Sequence, residues 1–303
     1  ILESTSPVGA TEQMTEWLAH ARPDLSFPQT VGEVADVNVA HCPERVLPGH
    51  VVRELVENDR VIGGITSKCS ERAVELYKTF VKGECVITNA RTAEMAKLTE
   101  NSCRDVQIAF ANELSIICDK LNIDVWELIS LANRHPRINI LQPGPGVGGH
   151  CIAVDPWFIV SKTPEEAKII HTARRVNESK TEWAINKVKL AVSDFLQVNP
   201  SKKLEEMNIA CLGLAFKPNI DDLRESPALD IYYALKNWHM GRVYGVEPNL
   251  ETSEDQDIEL VNIEEAIQYA DIVVVLVKHT TFDNIAFKDN QRIIDFVGLT
   301  THF

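Results

Sequence analysis

The stretch Asn208-Ile-Ala-Cys-Leu-Gly-Leu-Ala-Phe-Lys-Pro-Asn-Ile-Asp-Asp-Leu-Arg-Glu-Ser-Pro227 decides the fold class of the last third of the chain. Its first residues are apolar, as in a buried strand, and the run is interrupted at Gly213. A helix start follows at Ser226, because serine is a favoured N-cap and proline a favoured first helical residue. A strand that passes into a helix through such a loop is typical of a doubly wound α/β domain, whose ligands bind at these crossings.

The residues of this crossing loop have the chemistry of a nucleotide site. Phe216 could stack on a base, and Lys217 and Arg224 could bind phosphates. The loop has no GxGxxG pattern, so it does not by itself imply a dinucleotide. Further strand candidates, separated by helical stretches, complete the pattern: residues 242–246, 272–277 and 292–296, beside 208–214.

Residues 88–199 form the predicted helical middle of the chain. Residues 84–135 contain neither glycine nor proline, and an apolar face is formed by Phe110, Leu114, Ile117 and Leu121. Asp124 begins one capping box, and Thr163 begins a second, from which a helix can run to about Val198. Upstream, in residues 1–87, short apolar strands at 37–40, 60–62 and 85–87 alternate with helical stretches at 12–21 and 70–80, which predicts mixed α/β structure.

A loop of residues 143–149 holds four glycines and two prolines, and Cys151 follows it. Glycines offer no side-chain packing, so we expect the backbone of this loop to approach a ligand. If a helical turn begins here, Cys151 and Asp155 share a face, and the thiol lies near the helix N-terminus, which favours a thiolate. The alternative is a buried, inert cysteine, which is what we expect of the other six cysteines.

Two polar groups on the helices are weaker candidates. Lys97, Asn101, Arg104 and Asp105 form a polar stripe on the long predicted helix. A solvated face is the simpler interpretation of this stripe, although an amide flanked by cations weakly favours an anionic ligand. His135 and Arg137 follow the next helix, where basic side chains suit the helix dipole.

Composition excludes several classes of protein. The 303 residues carry a formal net charge of −14, which argues against nucleic acid as a partner. No apolar run reaches the roughly 20 residues that a membrane helix needs. Seven scattered cysteines without a CxxC pair predict neither disulfides nor a metal site, and they favour a reducing, cytoplasmic setting.

Five motifs together resemble those of the UDP-glucose/GDP-mannose dehydrogenase superfamily, in the same order and over most of the chain. They are Glu3-Ser-Thr-Ser-Pro7, Cys42-Pro-Glu-Arg45, Ala93-Glu-Met-Ala-Lys-Leu-Thr-Glu-Asn101, Gly148-Gly-His-Cys151 with Asp155, and Gly213-Leu-Ala-Phe-Lys217 with Asp222, Arg224 and Ser226. The amino-acid sequences around Cys42 and around Cys151 resemble those of one bacterial branch of the family. The enzymes of that branch oxidise UDP-N-acetyl-D-mannosamine for surface polysaccharides.

The resemblance implies an NAD-dependent, four-electron oxidation of the sugar's C6 alcohol to a carboxylate, without release of the aldehyde. It implies Cys151 as the nucleophile, Lys97 as the acid/base, and Asn101 as a partner of the same oxygen. The other roles follow from motif position: Glu44 and Thr5 at the hydrolytic water, Asp155 orienting water or Lys97, Arg45, Val46 and Gly148 at the sugar, Arg104, His135 and Arg137 at the UDP, Phe216 and Lys217 at the uridine, and Ser4, Thr5 and Arg224 at NAD.

The resemblance also implies three domains and a homodimer. We expect residues 1–87 to be a truncated Rossmann-like NAD-binding domain, residues 88–199 a central helical domain with a long dimerisation helix and the cysteine loop, and residues 200–303 a doubly wound UDP-binding domain. Family members begin with a strand, GxGxxG and a helix that this sequence does not contain. We therefore expect a fragment that binds the UDP-sugar with impaired NAD binding; the alternatives are an enzyme that recruits NAD otherwise, a non-catalytic UDP-sugar-binding or dimerisation module, or a UDP-glucose 6-dehydrogenase-like enzyme.

Overall fold

The computed structural model describes residues 1–46, 51–250 and 257–300. These residues form two compact units. The first unit comprises Ile1–Cys103 and Val154–Lys168, and the second comprises Arg104–Ala153 and Ile169–Phe303. Residues 47–49, which continue the sequence around Cys42, lie outside the described residues.

The first unit contains a three-stranded sheet with short helices. Its elements are α1 (Ala10–Ala21), α2 (Pro28–Val31), β1 (Ala40–His41), α3 (Val51–Glu57), β2 (Arg60–Gly64), α4 (Ser67–Tyr77) and β3 (Cys85–Asn89). The strand order is β1-β2-β3; β2 and β3 are parallel, whereas β1 runs antiparallel to β2. Leu2 forms a parallel bridge with His41, so the opening residues do run alongside the sheet. Ile62 and Tyr77 lie in the buried core of this sheet.

Four helices lie between the two sheets along the chain. They are α5 (Ala90–Leu121), α6 (Val125–Ala132), α7 (Asp155–Lys162) and α8 (Lys168–Val198). The Asp124 cap of α6 is confirmed, because its carboxylate accepts hydrogen bonds from the amides of Trp126 and Glu127. Among the described residues, no helix is long and apolar enough to cross a membrane.

The predicted capping box at Thr163 is wrong. Thr163 is the C-cap of α7, and its hydroxyl donates to the carbonyl of Ile159 at 3.0 Å instead of accepting from the next helix. The chain then turns, and α8 begins at Lys168. A threonine hydroxyl can bond the carbonyl four residues before it as readily as it caps a helix, and here the preceding helix provides that carbonyl.

The second unit carries the doubly wound sheet that the opening motif predicts. Its elements after α8 are β4 (Ile209–Leu212), α9 (Pro227–Trp238), β5 (Val243–Val246), α10 (Ile263–Tyr269), β6 (Ile272–Val275) and β7 (Arg292–Asp295). The strands are all parallel, in the order β5-β4-β6-β7. One face, with Ile209 and Cys211, packs with α8 and α9, while the other face, with Ala210 and Leu212, packs with α10. Burial of both faces explains the continuous apolar runs of β4, β5 and β6, whereas β7, at the edge of the sheet, is only partly buried.

Candidate active site

The glycine loop of residues 143–149 packs closely against other backbone in the second unit. A Cβ at Gly148 would lie 2.4 Å from the carbonyl oxygen of Glu225 and 2.8 Å from the Cβ of Phe216. Gly149 has a φ of 79°, and its amide donates to the carbonyl of Arg224 at 3.2 Å. These glycines therefore allow the backbone of the loop to touch the segment that precedes α9, and the approach of the loop to a ligand stays a prediction.

Cys151 lies two residues beyond this contact, half-buried in a turn that precedes α7. The predicted helical turn shared by Cys151 and Asp155 is wrong, since α7 begins at Asp155 itself. Pro156 favours a helix start at this point because proline fits the first helical turn. Cys151 therefore precedes the helix and shares no helical face with Asp155.

In the second unit, the guanidinium of Arg224 interacts electrostatically with Cys151. Arg224 forms a forked ion pair with Asp222, in which Nε to Oδ1 is 2.9 Å and Nη2 to Oδ2 is 2.6 Å. Hydrogen bonding to Asp222 raises the pKa of Arg224, and the negative charge of a Cys151 thiolate raises it further. By the same attraction, a guanidinium held near a cysteine favours its thiolate form, which is the nucleophilic form.

The remaining cysteines divide into two groups. Cys42, Cys69, Cys118 and Cys211 are buried, as predicted. Cys85 is half-buried and Cys103 is exposed, so the prediction of burial is wrong for these two. Burial raises the pKa of Cys211 to about 12, which makes that thiol inert at neutral pH.

In the first unit, Asp155 holds the amide of Asn101. The Asn101 Nδ2 donates to the Asp155 Oδ2, and the Asp155 side chain is buried. An amide nitrogen carries two hydrogens, so this bond orients the second one as well. The sequence does not predict this contact. Lys97, half-buried, lies one helical turn before Asn101 on α5.

The motifs at residues 3–7 and 42–45 run side by side in the first unit. The amide of Cys42 donates to the carbonyl of Leu2 at 2.9 Å, and the amide of Glu44 donates to the carbonyl of Glu3 at 3.2 Å. This pairing brings the segment that carries Ser4 and Thr5 next to the segment that carries Glu44, Arg45 and Val46. The Glu44 carboxylate accepts a hydrogen bond from the amide of Val46, and Arg45 pairs with Glu100 on α5 at 2.6 Å.

Asp105 does not belong to the polar stripe that the sequence predicts. Its side chain is fully buried in the second unit and accepts hydrogen bonds from Arg174 and Asn177, both at 2.8 Å. Burial raises the pKa of Asp105, while Arg174 and Asn177 oppose that shift. The stripe predicted Asp105 as exposed because helical spacing does not show that α8 covers it. Arg104, His135 and Arg137 are exposed.

A buried clamp under the Phe216–Lys217 loop is absent from the sequence predictions. Glu247, at the end of β5, accepts from the amides of Leu214 and Ala215 at 2.8 and 2.9 Å. His279 Nε2 lies 3.1 Å from the same carboxylate, and the amide of Asn219 donates to His279 Nδ1 at 3.0 Å. A backbone amide can only donate, so Nδ1 is the acceptor and Nε2–H donates to Glu247. The pair therefore holds both ends of the loop. An acidic residue that follows a strand of a doubly wound sheet could have indicated Glu247.

These features define a class of protein: an α/β protein with a parallel, doubly wound sheet, a half-buried thiol after a glycine loop, and a lysine and an asparagine one turn apart on a long helix. Within the described ranges, no group of three or more His, Cys, Asp or Glu side chains could hold a metal ion.

Comparison with known proteins identifies the family. Models of the UDP-glucose/GDP-mannose dehydrogenase family match residues 1–81 as the NAD binding domain, 91–179 as the central domain and 210–301 as the UDP binding domain. The UDP-N-acetyl-D-mannosamine dehydrogenase of Yersinia pestis is 62% identical over 99% of this chain and 72% of that protein. The NDP-N-acetyl-D-galactosaminuronic acid dehydrogenase of Ralstonia nicotianae is 61% identical over 99% of this chain and 69% of that protein.

A solved structure agrees with these relatives. The UDP-D-ManNAc dehydrogenase of Pyrococcus horikoshii superposes with a TM-score of 0.84 at 38% identity, covering 99% of this chain and 69% of that one. The chain therefore belongs to the UDP-glucose/GDP-mannose dehydrogenase family, whose members are NAD-dependent UDP-sugar dehydrogenases. The predicted α/β fold class, the enzyme class and the NAD cofactor are confirmed.

Proposed function

We propose that this chain oxidises UDP-N-acetyl-D-mannosamine at C6 to UDP-N-acetyl-D-mannosaminuronic acid, a precursor for bacterial surface polysaccharides of the enterobacterial common antigen type. The observation that carries the proposal is Cys151, a half-buried thiol that directly follows the glycine loop and interacts electrostatically with the guanidinium of Arg224. The identity of 62% to the dehydrogenase of Yersinia pestis supports the choice of sugar.

The residues of the chain fit a nicotinamide dinucleotide in part. Ser4 and Thr5 carry hydroxyls directly after the strand-like residue Leu2, which is where dinucleotide folds present polar groups to their ligand. Ser4, Thr5 and Arg224 would hold the cofactor. NAD+ supplies the chemistry that the side chains lack, since it accepts one hydride in each of the two oxidations.

Lys97 and Asn101 would act on the C6 oxygen. Lys97 takes the hydroxyl proton as the alcohol becomes an aldehyde, and Asn101 donates a hydrogen bond to the same oxygen. The bond from Asn101 to Asp155 supports this role, because it orients the amide. Asp155 would thus act through Asn101 as well as on water or Lys97.

Cys151 would carry the sugar between the two oxidations. Its thiolate adds to the aldehyde carbon, and the oxygen takes a proton to give a thiohemiacetal. Loss of a hydride and a proton gives a thioester, and water then releases the carboxylate and regenerates the thiolate. Glu44 and Thr5 would position that water, and the pairing of their two segments supports a joint role.

The other predicted residues would bind the UDP-sugar. Arg45, Val46 and Gly148 would contact the sugar, Phe216 and Lys217 the uridine, and Arg104, His135 and Arg137 the diphosphate, the last two from a second subunit. The clamp of Glu247 and His279 supports the assignment of Phe216 and Lys217, because it gives their loop a fixed shape.

A homodimer joined along α5 is part of the proposal. Phe110, Ile117 and Leu121 lie on one face of α5 and are 53%, 43% and 60% exposed in the single chain. Exposed apolar side chains in a row are typical of a surface that another protein covers. The equivalent helix of a second copy is the proposed occupant.

A second sugar is also a candidate. The 61% identity to the galactosaminuronic acid dehydrogenase of Ralstonia nicotianae favours a UDP-N-acetylgalactosamine-type substrate almost equally. UDP-glucose and a purely binding role remain the further alternatives. Impaired NAD binding and a cytoplasmic location stay predictions.

The test of the proposed function is NADH formation by the 303-residue protein with each UDP-sugar in turn. We expect acid and two NADH per UDP-N-acetyl-D-mannosamine, and loss of acid formation by at least about 1,000-fold in Cys151→Ala. Cys85→Ala is the matched control, because Cys85 is also half-buried. Acid formation at the normal rate by Cys151→Ala would contradict the thiol mechanism, and preference for another sugar would change the substrate.

Calorimetry separates the remaining alternatives. Binding of the UDP-sugar without turnover supports the non-catalytic module, whereas weak titration with NAD+ confirms impaired cofactor binding. Tight binding of NAD+ would show that the prediction of impaired binding is wrong.

A further inference from the structure

Two buried asparagines connect the helices of the second unit to the loop that precedes Cys151. Asn112 on α5 and Asn177 on α8 are 0% and 1% exposed. The Asn112 Nδ2 donates to the Asn177 Oδ1 at 2.9 Å, and the amide of Gly144 donates to the Asn112 Oδ1 at 2.9 Å. At the other end, the Asn177 Nδ2 donates to the Asp105 Oδ1 at 2.8 Å.

This chain of hydrogen bonds can run in only one direction. The amide of Gly144 can only donate, and the backbone carbonyl of Asp105, which accepts from the Asn177 Nδ2 at 3.2 Å, can only accept. Both amides therefore have one orientation, with each oxygen toward the loop and each nitrogen toward Asp105. Arg174 donates to the same Asp105 oxygen at 2.8 Å. Within the described part of the chain, the Asp105 Oδ2 and the Arg174 Nε have no hydrogen-bond partner, whereas the two asparagines bond to each other, to Gly144 and to Asp105.

The loop is held at two places. Beside the bond from Gly144 to Asn112, the Thr181 hydroxyl on α8 donates to the carbonyl of Pro145 at 3.1 Å. Farther along, Gly149 bonds to the carbonyl of Arg224. Cys151 follows Gly149 by two residues. A displacement of the backbone at Gly144 would therefore be transmitted to the thiol through a segment of only a few residues.

We infer that Asn112 and Asn177 are positioning residues for Cys151, because they set the conformation of the loop that leads to its thiol. The inference rests on the proposed function only in that Cys151 is taken as the nucleophile. The effect of the two asparagines runs through the bond from Gly144 to Asn112. The residues of the family resemblance do not include them.

The decisive variant is Asn112→Asp, which keeps the shape of the side chain but removes its donor. The carboxylate introduced at position 112 could still accept from the amide of Gly144. The Asn177 amide nitrogen would then have to donate both to this carboxylate and to Asp105, or the Asn177 oxygen would face the new carboxylate. We expect kcat to fall about tenfold or more while KM for the UDP-sugar changes less than about threefold, because loop misplacement affects the reacting atom more than binding. Asn186→Asp, at an exposed asparagine on α8, is the matched control.

A second readout does not need turnover. The pH profile of Cys151 alkylation by iodoacetamide, followed on the Cys151 peptide by mass spectrometry, reports how well the surroundings of Cys151, including the guanidinium of Arg224, stabilise the thiolate. We expect its midpoint to move upward in Asn112→Asp and to stay at the wild-type value in Asn186→Asp. If Asn112→Asp does not fold, Thr181→Val, which removes the hydroxyl bond to Pro145, is expected to shift the midpoint in the same direction.

Wild-type kcat together with an unchanged alkylation midpoint in Asn112→Asp would overturn the inference. So would an unchanged midpoint in Thr181→Val when the first variant does not fold. Failure of the proposed function looks different: Cys151→Ala would keep forming acid, while the alkylation midpoint would still move in Asn112→Asp.

Discussion

Gly148 and Gly144 lie four residues apart in the same loop, yet their surroundings differ. A Cβ on Gly148 would lie within 2.4 to 2.8 Å of Glu225, Phe216 and Pro227, whereas the nearest atom to a Cβ on Gly144 is the carbonyl oxygen of Gly146 at 3.9 Å. The sequence of the loop gives no reason to expect different packing around its four glycines. Only the neighbours in space show which of them the fold requires.

We therefore expect Gly148→Ala to lower the free energy of unfolding by about 1–3 kcal/mol, because the methyl group has no room. Gly144→Ala should change it by less than about 0.5 kcal/mol or raise it slightly, since alanine restricts the unfolded chain. Urea denaturation of both variants checks this. Equal effects of the two substitutions would contradict the packing seen around Gly148.

Lys180 is an ionisable residue in an apolar setting. Its side chain is 2% exposed, donates to the Ser115 hydroxyl at 2.6 Å, and lies 3.6 Å from the ring centre of Trp183. Burial lowers the pKa of Lys180 from 10.5 to about 7, against the opposing attraction of Asp119. Below pH 7 both the folded and the unfolded chain hold the proton, and the full cost of the buried charge is present.

Between pH 7 and 10.5 the unfolded chain binds the proton and the folded chain releases it, so stability rises with pH. We expect wild type to gain up to about 1.4 kcal/mol per pH unit relative to Lys180→Met across this range. Urea denaturation at pH 7, 8 and 9 measures the difference. Lys120→Met, at an exposed lysine on α5, is the control, and parallel pH curves for wild type and Lys180→Met would contradict the prediction.

Helix α9 begins where the loop of Phe216 and Lys217 ends, and Ser226 makes both connections. Its hydroxyl accepts from the amide of Leu229 at 3.4 Å and donates to the buried carbonyl of Leu214 at 2.7 Å. The sequence predicts the cap, because Ser-Pro is a common helix start. It does not predict the bond to Leu214, which ties the helix to the end of β4.

Ser226→Ala should lower the free energy of unfolding by about 1–3 kcal/mol, since it removes a cap and leaves a buried carbonyl without its donor. Asn262→Ala is the comparison: Asn262 caps α10 through the amide of Glu265, and the loss there should be nearer about 1 kcal/mol. Chemical denaturation of the two variants checks the order. A larger loss in Asn262→Ala would show that the bond to Leu214 contributes nothing.

The assembly of the protein depends on the exposed face of α5. We expect wild type to sediment as a dimer, and Phe110→Glu combined with Leu121→Glu to sediment as a folded monomer, because charge on both residues opposes burial in an interface. Lys120→Glu, on an exposed neighbouring position, should leave the dimer intact. A wild-type monomer in sedimentation velocity would contradict the dimer, whatever the variants do.

Local patterns predict the elements of this chain well, for identifiable reasons. The β4, β5 and β6 strands lie within their predicted runs, because a strand buried on both faces must be largely apolar. The absence of glycine and proline from residues 84–135 predicts the long α5 helix. The role of Thr163 is predicted wrongly because its hydroxyl can either accept from an amide of the following helix or donate to a carbonyl of the preceding one.

Sequence alone determined the α/β class, the family, and Cys151 and Lys97 as chemical candidates, because those depend on residue types at short spacings. Only the tertiary structure determined that Asp105 is buried against Arg174, that Glu247 and His279 hold the Phe216 loop, and that Asn112 reaches Gly144. These contacts join residues far apart in the chain, as the separations of 69, 32 and 32 positions show. The packing of helices and strands determines which residues form these contacts, and local sequence patterns do not contain that information.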